Sequence, residues 1–148
     1  MIRESLLLEK KKLADEYMEK VGFSIQFDHY GIKATKSDYR KLKEEVETRG
    51  KIYNEVFFHD KHILTGALED FLLEISEPNP NELIKKTFVE HIAYSTSDLK
   101  EISAKLSGEI ISKFDVKNTH GIKIAPKKKL IIEIRNNNII ESIPDFID

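Results

Sequence analysis

Two histidine and carboxylate pairs are the residues of this sequence best equipped for chemistry. Asp28-His29 is followed by Glu74, 45 residues beyond the histidine, and Glu90-His91 is followed by Glu133, 42 residues beyond it. Two imidazoles and two carboxylates suit a divalent ion such as zinc, nickel, manganese, iron or cobalt, with positions left open for water or substrate. The chain has no cysteine, so any metal must be held by nitrogen and oxygen, and a thiol nucleophile is excluded. The bland alternative is that each histidine is only hydrogen-bonded and each glutamate only paired across a sheet, with Lys33 and Arg135 as the available cations.

The elements that must position these residues follow from the periodicity. Between Arg3 and Val21 the apolar residues Leu6, Leu7, Leu13, Ala14, Tyr17, Met18 and Val21 recur at helical steps and predict an amphipathic helix. Phe27 to Ala34 reads as a strand with Tyr30, Ile32 and Ala34 on one face and Phe27, His29, Gly31 and Lys33 on the other. Ser37 and Asp38 are expected to cap a helix that Gly50 stops, and Ile52–Phe58 and Ile63–Leu68 form a hairpin around the turn His59-Asp-Lys61. The strand Phe71–Ile75 places Leu73 and Ile75 opposite Glu74.

After a proline-containing linker the order repeats. Phe88–Tyr94 is a strand, Ser97 and Asp98 cap a helix that ends at Gly108, and Ile110–Val116, Ile122–Ala125 and Leu130–Ile134 are strands. The turn Asn118-Thr-His-Gly121 should contain His120. The fold class is therefore α+β: an N-terminal helix (1–22), two tandem β-α-β-β-β modules (23–78 and 88–138) and a C-terminal tail (139–148), expected to form one domain. Gly50-Lys-Ile52 matches Gly108-Glu-Ile110, and Leu72-Leu-Glu-Ile75 matches Ile131-Ile-Glu-Ile134, so internal duplication is the strongest signal in the chain.

If the modules pair about a pseudo-two-fold axis, His29, Glu74, His91 and Glu133 converge on one point inside a concave face. Glu74 or Glu133 could then act as a proton-moving base. Lys33 and Arg135 share the strand parity of His29 and Glu133 and are candidates for holding an anionic substrate group. Tyr53 and Glu55 are candidates for the wall of the site. His59 and His62 form a His-x-x-His pair, but as residues of an exposed turn they are expected to meet solvent.

Composition narrows the function classes. With 24 basic and 26 acidic side chains, a net charge of −2 and 40% hydrophobic residues, the sequence suits a packed domain without a dedicated nucleic-acid face. The runs Lys10–Lys12 and Lys127–Lys129 read as solvated clusters. Glu9 and Lys10 follow Leu6–Leu8 at once, so neither a signal peptide nor a membrane span is expected, and a cytoplasmic location is the default. No phosphate-binding glycine loop, Gly-x-Ser-x-Gly or His-Glu-x-x-His motif occurs.

The doubled order, the Asp28-His29 and Glu90-His91 openings and the Leu-Glu-Ile and Ile-Glu-Ile closings resemble the vicinal oxygen chelate superfamily, which includes the glyoxalases. Asp28-His-Tyr-Gly-Ile-Lys33, Gly50-Lys-Ile-Tyr-Asn-Glu-Val56, His62-Ile63, Leu72-Leu-Glu-Ile-Ser-Glu-Pro78 and Val89-Glu-His-Ile92 resemble its YecM-like branch of metal-binding proteins. The resemblance spans Gly22 to Asn138. It implies a cup-shaped mixed sheet with a metal at its base, ligated by His29, Glu74, His91 and Glu133. It also implies lyase, isomerase or dioxygenase-like chemistry on a small oxygen-rich metabolite. The alternative on the same fold is a non-catalytic ligand-binding or protein-interaction module. Both halves lie in one chain, so a monomer is expected, with a dimer as the alternative.

Overall fold

The computed structural model of the chain describes residues 3–147. Helix α1 (Glu4–Val21) leads into β1 (Gln26–Lys33), α2 (Lys36–Arg49), β2 (Gly50–Phe58), β3 (Lys61–Leu68) and β4 (Phe71–Ser76). The order repeats as β5 (Phe88–Ser95), α3 (Leu99–Lys105), β6 (Ile110–Val116), β7 (Thr119–Lys127) and β8 (Leu130–Arg135). A short helix α4 (Ile139–Ser142) and a 3-10 turn over Ile143–Phe146 follow.

Eight strands form one mixed sheet in the order β2-β3-β4-β1-β5-β8-β7-β6. β1 pairs in parallel with β4, and β5 with β8; every other neighbour is antiparallel. The modules meet where β1 runs against β5, with Tyr30 opposite Ile92. His29 lies opposite Ala93 on one side of that pair, and His91 lies opposite Gly31 on the other. This antiparallel centre is the pseudo-two-fold axis that the repeat requires.

One face of the sheet carries the core. Tyr30, Ile32, Leu73 and Ile75 from the first module join Ile92, Tyr94, Ile132 and Ile134 from the second, beneath Leu7, Ala14 and Met18 of α1 and Leu42 and Val46 of α2. Burying an Ile or Leu side chain of this kind stabilises by about 1.5–3 kcal/mol. α1 stops where Gly22 takes φ 80°, a left-handed conformation that glycine adopts without a Cβ clash.

Several local expectations are corrected. Thr35, not Ser37 or Asp38, caps α2: its Oγ1 accepts the N–H of Asp38 at 3.2 Å. Asp98 does stand at the N-cap position of α3, but its side chain makes no capping bond, and its own N–H donates to Thr96 Oγ1 at 3.0 Å. β7 starts at Thr119, so His120 is a strand residue paired with Asp115, and the tight turn sits at Lys117 and Asn118.

The strand parity of β1 also breaks. Phe27 packs on Tyr30 and Tyr94, with ring centroids 4.9 and 6.0 Å away, on the helix-covered face instead of beside His29. The cause is a bulge: register passes from Phe27 opposite Tyr94 to His29 opposite Ala93, leaving Asp28 as the extra residue. β5 bulges in the same way. Gly31 faces His91 and Ile32 faces Val89, so Glu90 is the extra residue there.

Candidate metal centre

The duplicated bulges build the site. Without them, Asp28 and His29 would point to opposite faces, as would Glu90 and His91. With them, each carboxylate stays beside the histidine that follows it. The Nδ1–H of His29 donates to Asp28 Oδ2 at 2.6 Å, and the Nδ1–H of His91 donates to Glu90 Oε1 at 3.0 Å. A carboxylate only accepts, so each bond places the ring proton on Nδ1 and turns the Nε2 lone pair toward the interior. The two Nε2 atoms face each other at 3.4 Å.

Register across the sheet then supplies the glutamates. Gly31 stands beside Glu74 on β4, and Ala93 stands beside Glu133 on β8. Each histidine therefore reaches over a small residue of the other module toward a glutamate. His91 Nε2 lies 3.6 Å from Glu74 Oε1, and His29 Nε2 lies 3.7 Å from Glu133 Oε2. Glu133 Oε1 also approaches His91 Nε2 at 3.9 Å. Donor atoms of His29, Glu74 and His91 lie within 4.8 Å of one another. Glu133 faces both imidazoles but also holds Arg135, whose Nη1 is 3.3 Å from its Oε2.

The electrostatics favour a cation at this point. Two Nε2 lone pairs and two carboxylates converge where His29 is fully buried, and His91 and Glu133 are nearly so. Burial works against charging His91, but Glu133, Glu90 and Glu74 outweigh it and raise its pKa above the ordinary imidazole value. Burial would likewise raise Glu133, but His91, Arg135, His29 and Lys123 bring it down to about 2. Glu90 is held well below the carboxylate range by His91, Lys123 and Lys33, against its own burial. A nitrogen and oxygen donor set that attracts positive charge and is oriented through its outer nitrogens fits a divalent transition ion.

Above the donors lies a cavity of about 310 Å³ that Glu74 and Glu133 line together with Lys61, Lys123, Arg135, Phe58, Phe114 and Phe146. The tail closes part of its rim. Ser142 Oγ accepts from Arg135 Nη2 at 2.9 Å, Phe146 packs edge-on against Phe58, and the N–H of Ile139 donates to Asp28 Oδ2 at 2.9 Å.

No protein-family model matches the chain, and no curated protein matches it in sequence. Solved structures do match in shape. "Structural Genomics, Protein EC4020" superposes with a TM-score of 0.71 at 15% identity, over 93% of this chain and 86% of that one. Methylmalonyl-CoA epimerase from Mycobacterium tuberculosis gives 0.58 at 15%, over 74% of this chain and 86% of its own. A glyoxalase/bleomycin resistance protein/dioxygenase superfamily member from Vibrio splendidus 12B01 gives 0.53 at 5%, over 77% of this chain and 100% of its own. The chain has the vicinal oxygen chelate fold.

On this vicinal oxygen chelate fold the expected residues divide. His29, Glu74, His91 and Glu133 come together, and Arg135 joins them at the cavity wall. Lys33 shares the parity of His29 but is taken up by Glu82 and Glu90, at 2.9 and 2.8 Å. Glu55 is not on the cup wall: it faces α2, where Tyr39 and Lys43 donate to it at 2.6 and 2.7 Å. Tyr53 sits at the bulge between Ile52 and Asn54, more than a third exposed and under Lys51, away from the cavity. Asn54 and Val56 take the inward positions that the sequence reading assigned to their neighbours.

His62 is exposed as expected, but it is a β3 residue and donates from Nδ1 to Glu77 Oε1 at 2.6 Å. Sequence reasoning found Asp28 and Glu90 only as repeat markers. Their signal was their place immediately before each histidine, and their role needed the bulges to become visible. Lys61 and Lys123 gave no signal beyond their charge.

Proposed function

We propose that the chain is a divalent-metal-dependent enzyme of the vicinal oxygen chelate type, acting on a small oxygen-rich metabolite by lyase, isomerase or dioxygenase-like chemistry. The observation that carries this reading is the pair of buried imidazoles with inward Nε2 atoms 3.4 Å apart, flanked by Glu74 and Glu133 at the floor of a cavity. His29, His91, Glu74 and Glu133 would hold the ion, which when bound supplies Lewis acidity to two neighbouring oxygens of a substrate.

The two glutamates are suited to different tasks. Glu133 is buried and held by Arg135, and its neighbours keep its pKa below the ordinary carboxylate value, which suits it to anchoring. Glu74 is about a quarter exposed and opens on the cavity, so it is the residue assigned to accept and return a substrate proton. Arg135 is fixed by Glu133 and Ser142 and presents its guanidinium to the cavity wall. All four donors come from one chain, so a monomer carries the whole site. No described helix is long and apolar enough to cross a membrane, and the cytoplasm remains the proposed location.

The experiment is solvent-deuterium exchange into a panel of small α-hydroxy and α-oxo acids, followed by NMR, with metal-loaded and chelator-stripped protein. Exchange that needs the metal and disappears in Glu74→Gln supports the enzyme. A metal-loaded protein that binds panel members and exchanges none of them would favour the binding module instead.

A further inference from the structure

The cavity over the metal centre carries more positive charge than its donors need. Lys61, Lys113, Lys123 and Arg135 line it against Glu74, Glu90 and Glu133, an excess of one positive charge that a divalent ion raises to three. Two of those cations have local partners: Arg135 has Glu133 at 3.3 Å, and Lys123 has Glu90 at 3.5 Å. Lys61 does not. Its Nζ donates to the neutral Asn79 Oδ1 at 2.9 Å, and among the described residues no carboxylate forms an ion pair with it. Burial, with Lys33 and Lys123 nearby, pushes its pKa below the ordinary lysine value against the opposing pull of Glu90 and Glu74. A half-buried ammonium without a counter-ion, facing a cavity beside like charges, is poised to gain from an incoming anion.

The two lysines come from different modules. Lys61 opens β3 at the hairpin end of the first module, and Lys123 lies on β7 of the second, opposite Glu133. They line the cavity from both modules, together with Glu74 and Glu133. Phe58, Phe114 and Phe146 supply apolar wall between.

We propose that the ligand of this cup is a small dianionic metabolite. Two neighbouring oxygens meet the metal centre, and a second anionic group, carboxylate or phosphate, lies against Lys61 and Lys123. The proposal rests on the metal-centre reading above and names the substrate class for it. Lys61 and Lys123 discriminate by charge: a ligand with a neutral far end leaves the half-buried Lys61 ammonium without an ion-pair partner, whereas an anionic end supplies one.

The test is calorimetric titration of metal-loaded protein, its metal content first confirmed by elemental analysis, with 2-oxoglutarate and with 2-oxopentanoate. These share the α-oxo acid and differ in the far carboxylate. Tighter binding of 2-oxoglutarate by at least about 10-fold is expected, equivalent to about 1.4 kcal/mol. That preference should fall in Lys61→Met and Lys123→Met, both checked for folding by circular dichroism and for unchanged metal content. The analogue with a phosphonate in place of the far carboxylate then tells which anion the lysines prefer. Equal affinity of the first two ligands, a preference unchanged in both variants, or no binding by either ligand to protein that holds its metal would overturn the proposal. Absence of metal at the first step would instead overturn the reading beneath it.

Discussion

The imidazole of His91 lies directly over Gly31 of the other module, so that a Cβ built at Gly31 would stand 2.0 Å from the His91 Cε1. The reach of His91 toward Glu74 is available only because residue 31 has no side chain. Gly31→Ala is predicted to push the ring away, to cost about 1–3 kcal/mol of stability as an overpacking defect, and to weaken metal binding. Urea denaturation and a metal-competition titration check both effects. A variant that binds metal as tightly as the parent would show that His91 is not positioned as described.

Asp28 serves two partners with one oxygen, since Oδ2 accepts from His29 Nδ1 and from the backbone of Ile139. Asp28→Ala frees the ring to turn and is predicted to lower metal affinity by about 10–100-fold, the usual consequence of losing an outer-shell partner. Chelator competition on the folded variant measures it. The effect on metal should exceed that of removing Glu77, which binds the exposed His62 and neither of the two inward histidines.

Ser142 ties the tail to the wall of the cup through Arg135, whose Nε is buried without an acceptor and depends on its other nitrogens. Ser142→Ala is predicted to cost about 1–3 kcal/mol, as expected for a buried hydrogen bond to a charged group. Metal content should stay unchanged. A loss of metal together with stability would mean that the tail orders the donors as well as the rim.

Glu55 provides a pH signature outside the centre. Burial would raise its pKa, but hydrogen bonds from Lys43 and Tyr39 outweigh it and lower the value below 4.5. A carboxyl depressed on folding stabilises the protein above its unfolded pKa, and that contribution is lost as pH falls through the folded value. Acid unfolding should therefore steepen below about pH 4.5, and Glu55→Gln should be less stable at neutral pH with a shallower acid limb. Thermal melts of both proteins between pH 7 and pH 3 measure this. Parallel curves would contradict the assignment.

The doubled strand and helix order was legible because the module repeats in sequence, and the four candidate donors could be picked out because each module carries one histidine and one glutamate at matched places. Alternation gave the inward side of β4 and β8, hence Glu74, Glu133 and Arg135. It failed where a strand gains a residue. Bulges at Asp28, Tyr53 and Glu90 each reset the parity, and neither composition nor spacing marks them. Phe27 consequently moved to the core, and Glu55 to the helix face. Lys33 kept its parity, but the linker residue Glu82 came back to occupy it, a contact spanning 49 positions that no local pattern encodes. The bonds of the tail to Asp28 and Arg135 appear only in three dimensions.

The measurement that bears most directly on the central claim is the metal content of the purified protein, set beside His29→Ala and His91→Ala, each shown to be folded. The account predicts one divalent transition ion per chain in the parent and its loss from both variants, because the two histidines face one point from different modules. A parent that takes up no metal even when saturated, or a variant that keeps a full equivalent, would contradict it.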